Sequence, residues 1–285
     1  MKTIAEKAKL SPAQTMTPEQ AKQLATEAYN ASPHKTDLDG VNIFCMFIGY
    51  PRSGHSLIGS LIDAHPNMII AQELDALKYV KAGFNKEQIF YLLLENSQRF
   101  TEAGRNWNGY KYKVPNQWHG RFKQLKVIGD KKGGRSSIAF HRDPELFDRL
   151  KQTIPIKIKT IHITRNPFDN ISTMSKTHAP GLKEAIGMYF AMAQTISRVK
   201  GLIQSEDFFE IRHEDFIEKP QESIRKLFGF LGEETADDFV NDCTSIIYTS
   251  PHKSRLESVW TDEFKSAVYE EIKKFPFLTG YKFED

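Results

Sequence analysis

The sequence predicts an α/β fold, a single domain with a central parallel sheet flanked by helices. Three observations lead there. Five short apolar runs, rich in β-branched and aromatic residues, are spaced along the chain, as expected of strands buried on both faces. Stretches of helical periodicity fill the intervals, and strands alternating with helices imply a parallel sheet covered on both sides. The length, 285 residues, suits one large α/β core. Such a core buries roughly 75% of its unfolded surface and needs no disulfide or metal staple.

The elements follow in order. Residues 1–40 read as an N-terminal helical extension ahead of a domain over 41–285. Thr17-Pro18-Glu19-Gln20 offers a threonine cap, proline at the first helical position and glutamine three residues after the cap. A short helix is therefore expected to about Asn30, with Ser32-Pro33 as its stop. Val41 to Ile48 is the first strand, and Leu57, Ile58, Leu61 and Ile62 share the apolar face of the helix after it. The later strands are Met68-Ile69-Ile70, Lys126 to Gly129, Ile158 to Thr164 and Phe208 to Ile211. Longer helices are expected over Lys86 to Phe100, Leu182 to Ile203 and Gln221 to Leu231.

Composition excludes several classes. Apolar residues at 40% and charged residues at 26% rule out a disordered chain, a collagen or a coiled coil. A net charge of +3 suits an anionic ligand and is too weak to argue for nucleic acid. Cys45 lies in an apolar run, and with Cys243 it forms neither a disulfide framework nor zinc-type spacing. No run of 18 apolar residues occurs, and Met1 to Lys7 lacks the apolar core of a signal peptide. The expectation is a soluble, cytoplasmic protein with no metal, nucleic-acid or membrane partner. Oligomeric state stays open.

Ligands of parallel sheets bind at the carboxyl ends of the strands. Those positions hold Pro51 to Ser56, Glu73, Asp130-Lys131-Lys132, Arg165 and Arg212-His213. Four of the five supply cations or hydroxyls, and one supplies a lone carboxylate. Gly49-Tyr50-Pro51-Arg52-Ser53-Gly54-His55-Ser56 turns from strand to helix. Its glycines permit a tight turn, and the helix N-terminus makes an anion site. Arg52, Ser53, Gly54, His55 and Ser56 are the candidate contacts. The loop reads as shorter than a Walker loop, with Arg52 and no Walker lysine. Ile161 to Asp169 is a second strand running into a turn and helix, with Arg165 at the strand tip and Asp169 as a candidate cap. Glu73 is the candidate general base, with its pKa expected to rise through partial desolvation. His55 is the rival base. Lys131 is the candidate cation beside Arg52. Lys132 is its alternative, since strand alternation would point the two in opposite directions.

Pro51 to Ile58 followed by Ile62-Asp63-Ala64-His65-Pro66 resembles the 5′-phosphosulfate loop of sulfotransferases that use 3′-phosphoadenosine-5′-phosphosulfate (PAPS), nearest the tyrosylprotein sulfotransferases and their bacterial relatives. The resemblance implies a P-loop-like sulfotransferase fold. It also implies PAPS as donor, PAP (adenosine 3′,5′-bisphosphate) as product, and no metal. It places the 3′-phosphate on Arg165 and a hydroxyl eight residues on, Thr173, with Ser172 in reserve. The family's lysine after the third strand matches Lys131, which would stabilise the transferring group with Arg52. Its glutamate 21 residues beyond the loop arginine matches Glu73, while the neighbouring family glutamate is Gln72 here. His213 stands where the family has a tyrosine near the adenine, and is equally readable as a structural histidine. Ser250 to Trp260 resembles the loop that closes over the nucleotide, with Lys253 and Arg255 toward the 3′-phosphate and Ser258 toward the phosphosulfate. Trp260 reads as core.

The implied activity is transfer of a sulfuryl group from PAPS to a hydroxyl, or an amine or carbamoyl nitrogen. The tyrosylprotein enzymes are lumenal, membrane-anchored and disulfide-bonded, features this chain does not show. A soluble small-molecule acceptor, such as a secondary metabolite, is therefore preferred over a protein tyrosine. Residues 75–125 and 176–190 are expected to define it, with Trp107, Tyr110, Tyr112, Trp118, His119 and Tyr189 as candidate walls. Two alternatives stand beside this reading. One is a nucleotide kinase of the same architecture, opposed by the missing Walker lysine. The other is a non-catalytic anion-binding module, opposed by Glu73 and Lys131 at strand tips.

Overall fold

The computed structural model describes residues 17–285; Met1 to Lys7, read above for a signal sequence, lie outside them. Five parallel strands form the sheet. They are β1 (Ile43–Gly49), β2 (Met68–Gln72), β5 (Val127–Lys131), β6 (Lys157–Thr164) and β7 (Phe208–Arg212), in the order β2-β5-β1-β6-β7. All five expected strands are present, with ends moved by a residue or two. Along β1, Phe44, Met46 and Ile48 join one apolar layer while Cys45 and Phe47 join the other. That alternation is why the run is apolar throughout: both faces of the strand are covered.

Helices supply the covers. Before the sheet come α1 (Pro18–Asn30) and α2 (Lys35–Asp39), and α3 (His55–Asp63) follows β1. After β2 come α4 (Ala76–Lys81) and α5 (Lys86–Glu102), and then the two-stranded hairpin of β3 (Asn106–Trp107) and β4 (Tyr110–Lys111). Next are α6 (Gly133–Arg142), α7 (Leu146–Thr153), α8 (Pro167–Thr177) and α9 (Leu182–Lys200). Past β7 lie α10 (His213–Glu218), α11 (Pro220–Phe230), α12 (Asp237–Thr244) and α13 (Asp262–Ile272). Leu57, Ile58, Leu61 and Ile62 of α3 pack with Phe228 and Phe239 on one face. Ile89, Phe90, Phe140, Tyr189 and Ile196 fill the other.

The start of α1 has the expected reciprocal cap. Thr17 Oγ1 accepts from the Gln20 amide at 3.2 Å, and Gln20 Oε1 accepts from the Thr17 amide at 2.9 Å. Ala25 and Tyr29 are buried in the larger core, and Gln88 Nε2 donates to the Lys22 carbonyl at 3.0 Å. Residues 18–30 are thus packed onto α5. Helix α6 begins at Gly133-Gly134, a pair that disfavours helix by propensity. Packing of the fully buried Phe140 overrides that. Neither Cys45 nor Cys243 is disulfide-bonded, and both are buried. Among the described residues no helix is long and apolar enough to cross a membrane.

A charged hub ties the hairpin to the sheet. Asp63, at the end of α3, is fully buried. It accepts from the Ile70 amide and Ser97 Oγ, each at 2.7 Å, and from Arg105 Nη1 at 2.7 Å. Arg105 in turn donates to the Tyr112 carbonyl at 3.1 Å and to Ser60 Oγ at 2.9 Å. Burial would raise the Asp63 pKa, but Arg105 and His119 outweigh it and hold the carboxyl below its usual range. Removing one partner strands the other charge in the core. Asp63→Ala should therefore cost about 3–5 kcal/mol in urea unfolding, while Asp63→Asn should cost less. A loss under about 1 kcal/mol in Asp63→Ala would mean the pair is solvated.

Candidate active site

The five parallel strands end at one edge, and a cavity of about 540 Å³ opens there. It is lined by Arg52, Gly54, His55, Ser56, Glu73, Lys131, Arg165, His213 and Lys253. Nine of the sequence-predicted residues therefore meet around one space.

The loop after β1 turns on Gly49 and Gly54, at φ 153° and 93°. A Cβ on Gly54 would lie 2.5 Å from His213 Nδ1, so glycine is needed there. Arg52 and Glu73 also have positive φ, 66° and 56°, a conformation rarely adopted by side-chain-bearing residues and often found at functional sites. Asp130 holds the Glu73 turn in place. Its carboxylate accepts from the Leu74 amide at 3.1 Å and the Ala76 amide at 2.8 Å. The loop is not short, as first read: Gly49 to Ser56 has full Walker spacing, with His55 in the lysine's position. His55 is buried, and its Nε2 donates to the Ile48 carbonyl at 3.3 Å. Burial, with Lys131 nearby, lowers its pKa to about 3. It is neutral and structurally engaged, so it makes a poor base.

The cation comes instead from β5. Lys131 Nζ donates to Ser56 Oγ at 2.9 Å and to Glu73 Oε1 at 2.8 Å. Its stem passes over Gly59, where a Cβ would meet Lys131 Cγ at 2.6 Å. Lys132 Nζ reaches Glu73 Oε2 at 2.7 Å. The expected divergence of the two lysines fails because β5 ends at Lys131 and Lys132 already caps α6. The expected rise in the Glu73 pKa fails too. Burial pushes it up, but the two ammoniums outweigh burial and hold it below its ordinary value. Burial also lowers the Lys131 pKa, against the pull of Glu73.

Arg165, at the tip of β6, donates through Nη1 to the Arg52 carbonyl at 3.1 Å and through Nη2 to the His252 carbonyl. It joins the loop after β1 to the 250–258 segment. Its Nε is buried without a partner, as is Nδ1 of His213. Burial, with Arg165 nearby, lowers the His213 pKa to about 4.

Four predicted contacts lie elsewhere. Ser53 is buried, with its Oγ accepting from Asn170 Nδ2 at 3.1 Å. Thr173 Oγ1 donates to the Asp169 carbonyl at 3.0 Å and bonds Ser254 Oγ at 3.1 Å. The reserve, Ser172, accepts from Trp260 Nε1 at 2.9 Å. Arg255 is buried and paired with Asp169 at 2.5 Å, and it donates to the Phe283 carbonyl at 2.7 Å. Ser258 is half-buried and outside the cavity lining. Thr173 was matched by spacing, Ser53 by its place in the loop, and Arg255 and Ser258 by the resemblance of their segment, and none of these says which way a side chain turns.

One side of the cavity is aromatic. Trp107, Tyr110 and Tyr112 line the cavity as expected, joined by Asn108 and Tyr248. With its amide oriented to match its donors, Asn108 Oδ1 accepts from Arg52 Nη1 at 3.1 Å and Trp107 Nε1 at 3.0 Å. Asn108-Gly109 is a hairpin-turn signal that the sequence reading passed over. Trp118, His119 and Tyr189 are not walls. His119 accepts from the Val114 amide behind the hairpin, and Tyr189 stacks on Tyr50 one layer down, at 4.1 Å.

The chain belongs to the sulfotransferase family, whose sequence model matches residues 45–238, and it is an enzyme of that class. No curated protein matches the chain in sequence at a significant level. Among solved structures, it is similar to the sulfotransferase STF9 from Mycobacterium avium, at 14% identity and a TM-score of 0.49 over 96% of this chain and 89% of that one. It is also similar to the sulfotransferase domain from the curacin biosynthetic pathway, at 14% identity and 0.48 over 86% and 94%. A third is mouse sulfotransferase SULT7A1 complexed with PAP, at 15% and 0.40 over 83% and 75%. The family assignment rests on the sequence match.

Two titrations check the site. Carboxyl NMR should place the Glu73 pKa below 4.5, its ordinary value, and Lys132→Met should raise it; an unmoved value would mean Lys132 does not hold the carboxylate. His55 and His213 have folded pKa values below their ordinary 6.5, so the unfolded chain takes up their protons first. The stability they contribute is complete above pH 6.5 and is lost as pH falls, down to about 4 for His213 and about 3 for His55. His213→Phe should flatten that part of the urea-stability profile.

Proposed function

We propose that the protein transfers a sulfuryl group from PAPS to an oxygen, or a nitrogen, of a small-molecule acceptor. The observation that carries this reading is the Arg165–Arg52 contact, which sets a second forked cation against the phosphate loop. A donor with anionic groups at both ends of an adenosine would use both, which separates PAPS from ATP. The residues fit such a donor. Arg165 Nε and His213 Nδ1 are buried polar atoms awaiting partners, and about 540 Å³ is within the usual range of small-molecule sites. Thr173, Ser172, Arg255 and Ser258 have other bonds or positions here, so the donor set proposed is Arg52, Gly54, His55, Ser56, Arg165, His213 and Lys253. The bound donor supplies an activated sulfuryl group, and charge developing on its leaving oxygen calls for fixed cations.

In this reading Lys131 and Arg52 supply that charge, with Ser56 orienting the ammonium. Glu73 accepts the acceptor's proton. Two lysines keep it ionised, and an anion that draws Lys131 away would raise its basicity. Donor binding would then strengthen the base only when transfer is possible. The acceptor lies against Trp107, Tyr110, Tyr112 and Tyr248, a wall suited to a small flat molecule.

Thermal shift with adenosine 3′,5′-bisphosphate against ADP plus magnesium tests the donor. The bisphosphate should stabilise the wild type and should fail to stabilise Arg165→Ala. Preference for ADP plus magnesium would instead support a kinase. Glu73→Gln should keep the bisphosphate response and lose about 10²–10⁴-fold in turnover with radiolabelled donor and an acceptor panel. Near wild-type kcat would remove Glu73 from the mechanism.

A further inference from the structure

A second cavity, about 250 Å³, lies between α4 and α6. Its lining is Asp75, Lys78 and Lys81 on one side and Arg135, Ile138, Ala139 and Arg142 on the other. Residues 135, 138, 139 and 142 follow the i, i+3, i+4, i+7 rule and form one continuous stripe of α6. The stripe has an apolar floor, Ile138 and Ala139, with an arginine at each end, about 10 Å apart along the axis. Lys78 and Lys81, one turn apart, face it from α4.

The charge there is poorly compensated. Arg135 Nε lies 3.6 Å from Asp75, and Lys81 Nζ lies 3.5 Å from Asp143, which also pairs with Arg149. Among the described residues neither Lys78 nor Arg142 has an acidic partner. Four cations against one lining carboxylate, around a half-buried apolar floor, fit an anionic group on an apolar stem. A space of this size is too small for a macromolecular surface to enter.

The groove lies close to the active site along the chain, though the two share no lining residue. Glu73 and Asp75 are two residues apart, as are Gly133, which lines the main cavity, and Arg135. The same two chain segments are bridged twice in succession, by Glu73–Lys132 at 2.7 Å and then by Asp75–Arg135 at 3.6 Å. The first bridge is at the reactive carboxylate, and the second is the rim of the groove.

We propose that this groove is a subsite for a carboxylate or phosphate carried by the acceptor, so that the enzyme selects anionic acceptors with an apolar segment between the charged end and the reacting oxygen. This rests on the sulfotransfer reading above for the meaning of acceptor, but the binding of an anion in the groove can be tested without it. Lys78→Gln/Arg142→Gln is the test variant, since both side chains are exposed and neither belongs to the catalytic machinery. With adenosine 3′,5′-bisphosphate saturating the donor site, inorganic phosphate and citrate are titrated separately and followed by backbone amide NMR. Signals of Ile138 and Ala139 should move in the wild type, and the apparent affinity should fall about tenfold in the variant. The stronger of the two ions tells phosphate from carboxylate. In turnover, 4-hydroxyphenylacetate should be preferred over its methyl ester by the wild type, and that preference should shrink about tenfold in the variant with the ester unaffected. Equal anion binding by wild type and variant, or shifts confined to the phosphate loop, would overturn the groove. Failure of the bisphosphate to bind would overturn the donor reading and leave the anion titration to decide the groove by itself.

Discussion

Parallel pairing of all five strands is the constraint on which the rest depends. It brings every strand's carboxyl end to one edge, so groups far apart in the chain arrive together. Arg52 follows β1, Glu73 follows β2, Lys131 ends β5, Arg165 follows β6 and His213 follows β7. Such an edge gathers cations, and cations repel. The structure answers with one carboxylate placed between two ammoniums, at 2.8 Å and 2.7 Å. It answers again with backbone carbonyls of the phosphate loop and of His252 accepting from Arg165.

The same crowding sets the protonation states. A buried carboxylate alone would titrate high, as Asp130 does, raised to about 6 by burial. Glu73 is also partly buried but has two lysines within hydrogen-bonding distance, and their charges win. At His55 the pull of Glu73 is outweighed by burial and by Lys131, so the ring is neutral. The loop thus keeps Walker spacing while giving its lysine position to a histidine that braces β1. The ammonium is delivered from β5, across the gap that Gly59 leaves open.

The aromatic side of the cavity depends on a different interaction. The hairpin bearing Trp107, Asn108 and Tyr110 is a two-residue-per-strand ribbon, too short to be stable alone. The Asp63–Arg105 pair anchors it to α3, the helix that begins in the phosphate loop. Asn108 then reaches Arg52. The aromatic wall and the loop after β1 are thus held by one framework.

Much of this was legible in residues alone. Period and β-branching located all five strands, because a strand buried on both faces admits little but apolar side chains. The reciprocal cap at Thr17 and Gln20 was equally local. Strand-tip reasoning brought eight of these residues to the cavity, since the tip of a parallel strand has only one edge to go to, and the resemblance of the 250–260 segment added Lys253. Helix α6 escaped notice because its stability lies in the packing of Phe140 and not in the propensity of Gly133-Gly134. The roles suggested for Ser53, Thr173, Arg255 and Ser258 came from position in a motif, and their hydroxyls and guanidinium turned to Asn170, Asp169 and Ser254 or away from the cavity. The chain by itself determined which strands form and which groups stand at their ends, because burial and periodicity are written residue by residue. Tertiary structure alone decided which way those groups face and how they ionise, because both depend on neighbours that the chain brings from dozens of residues away.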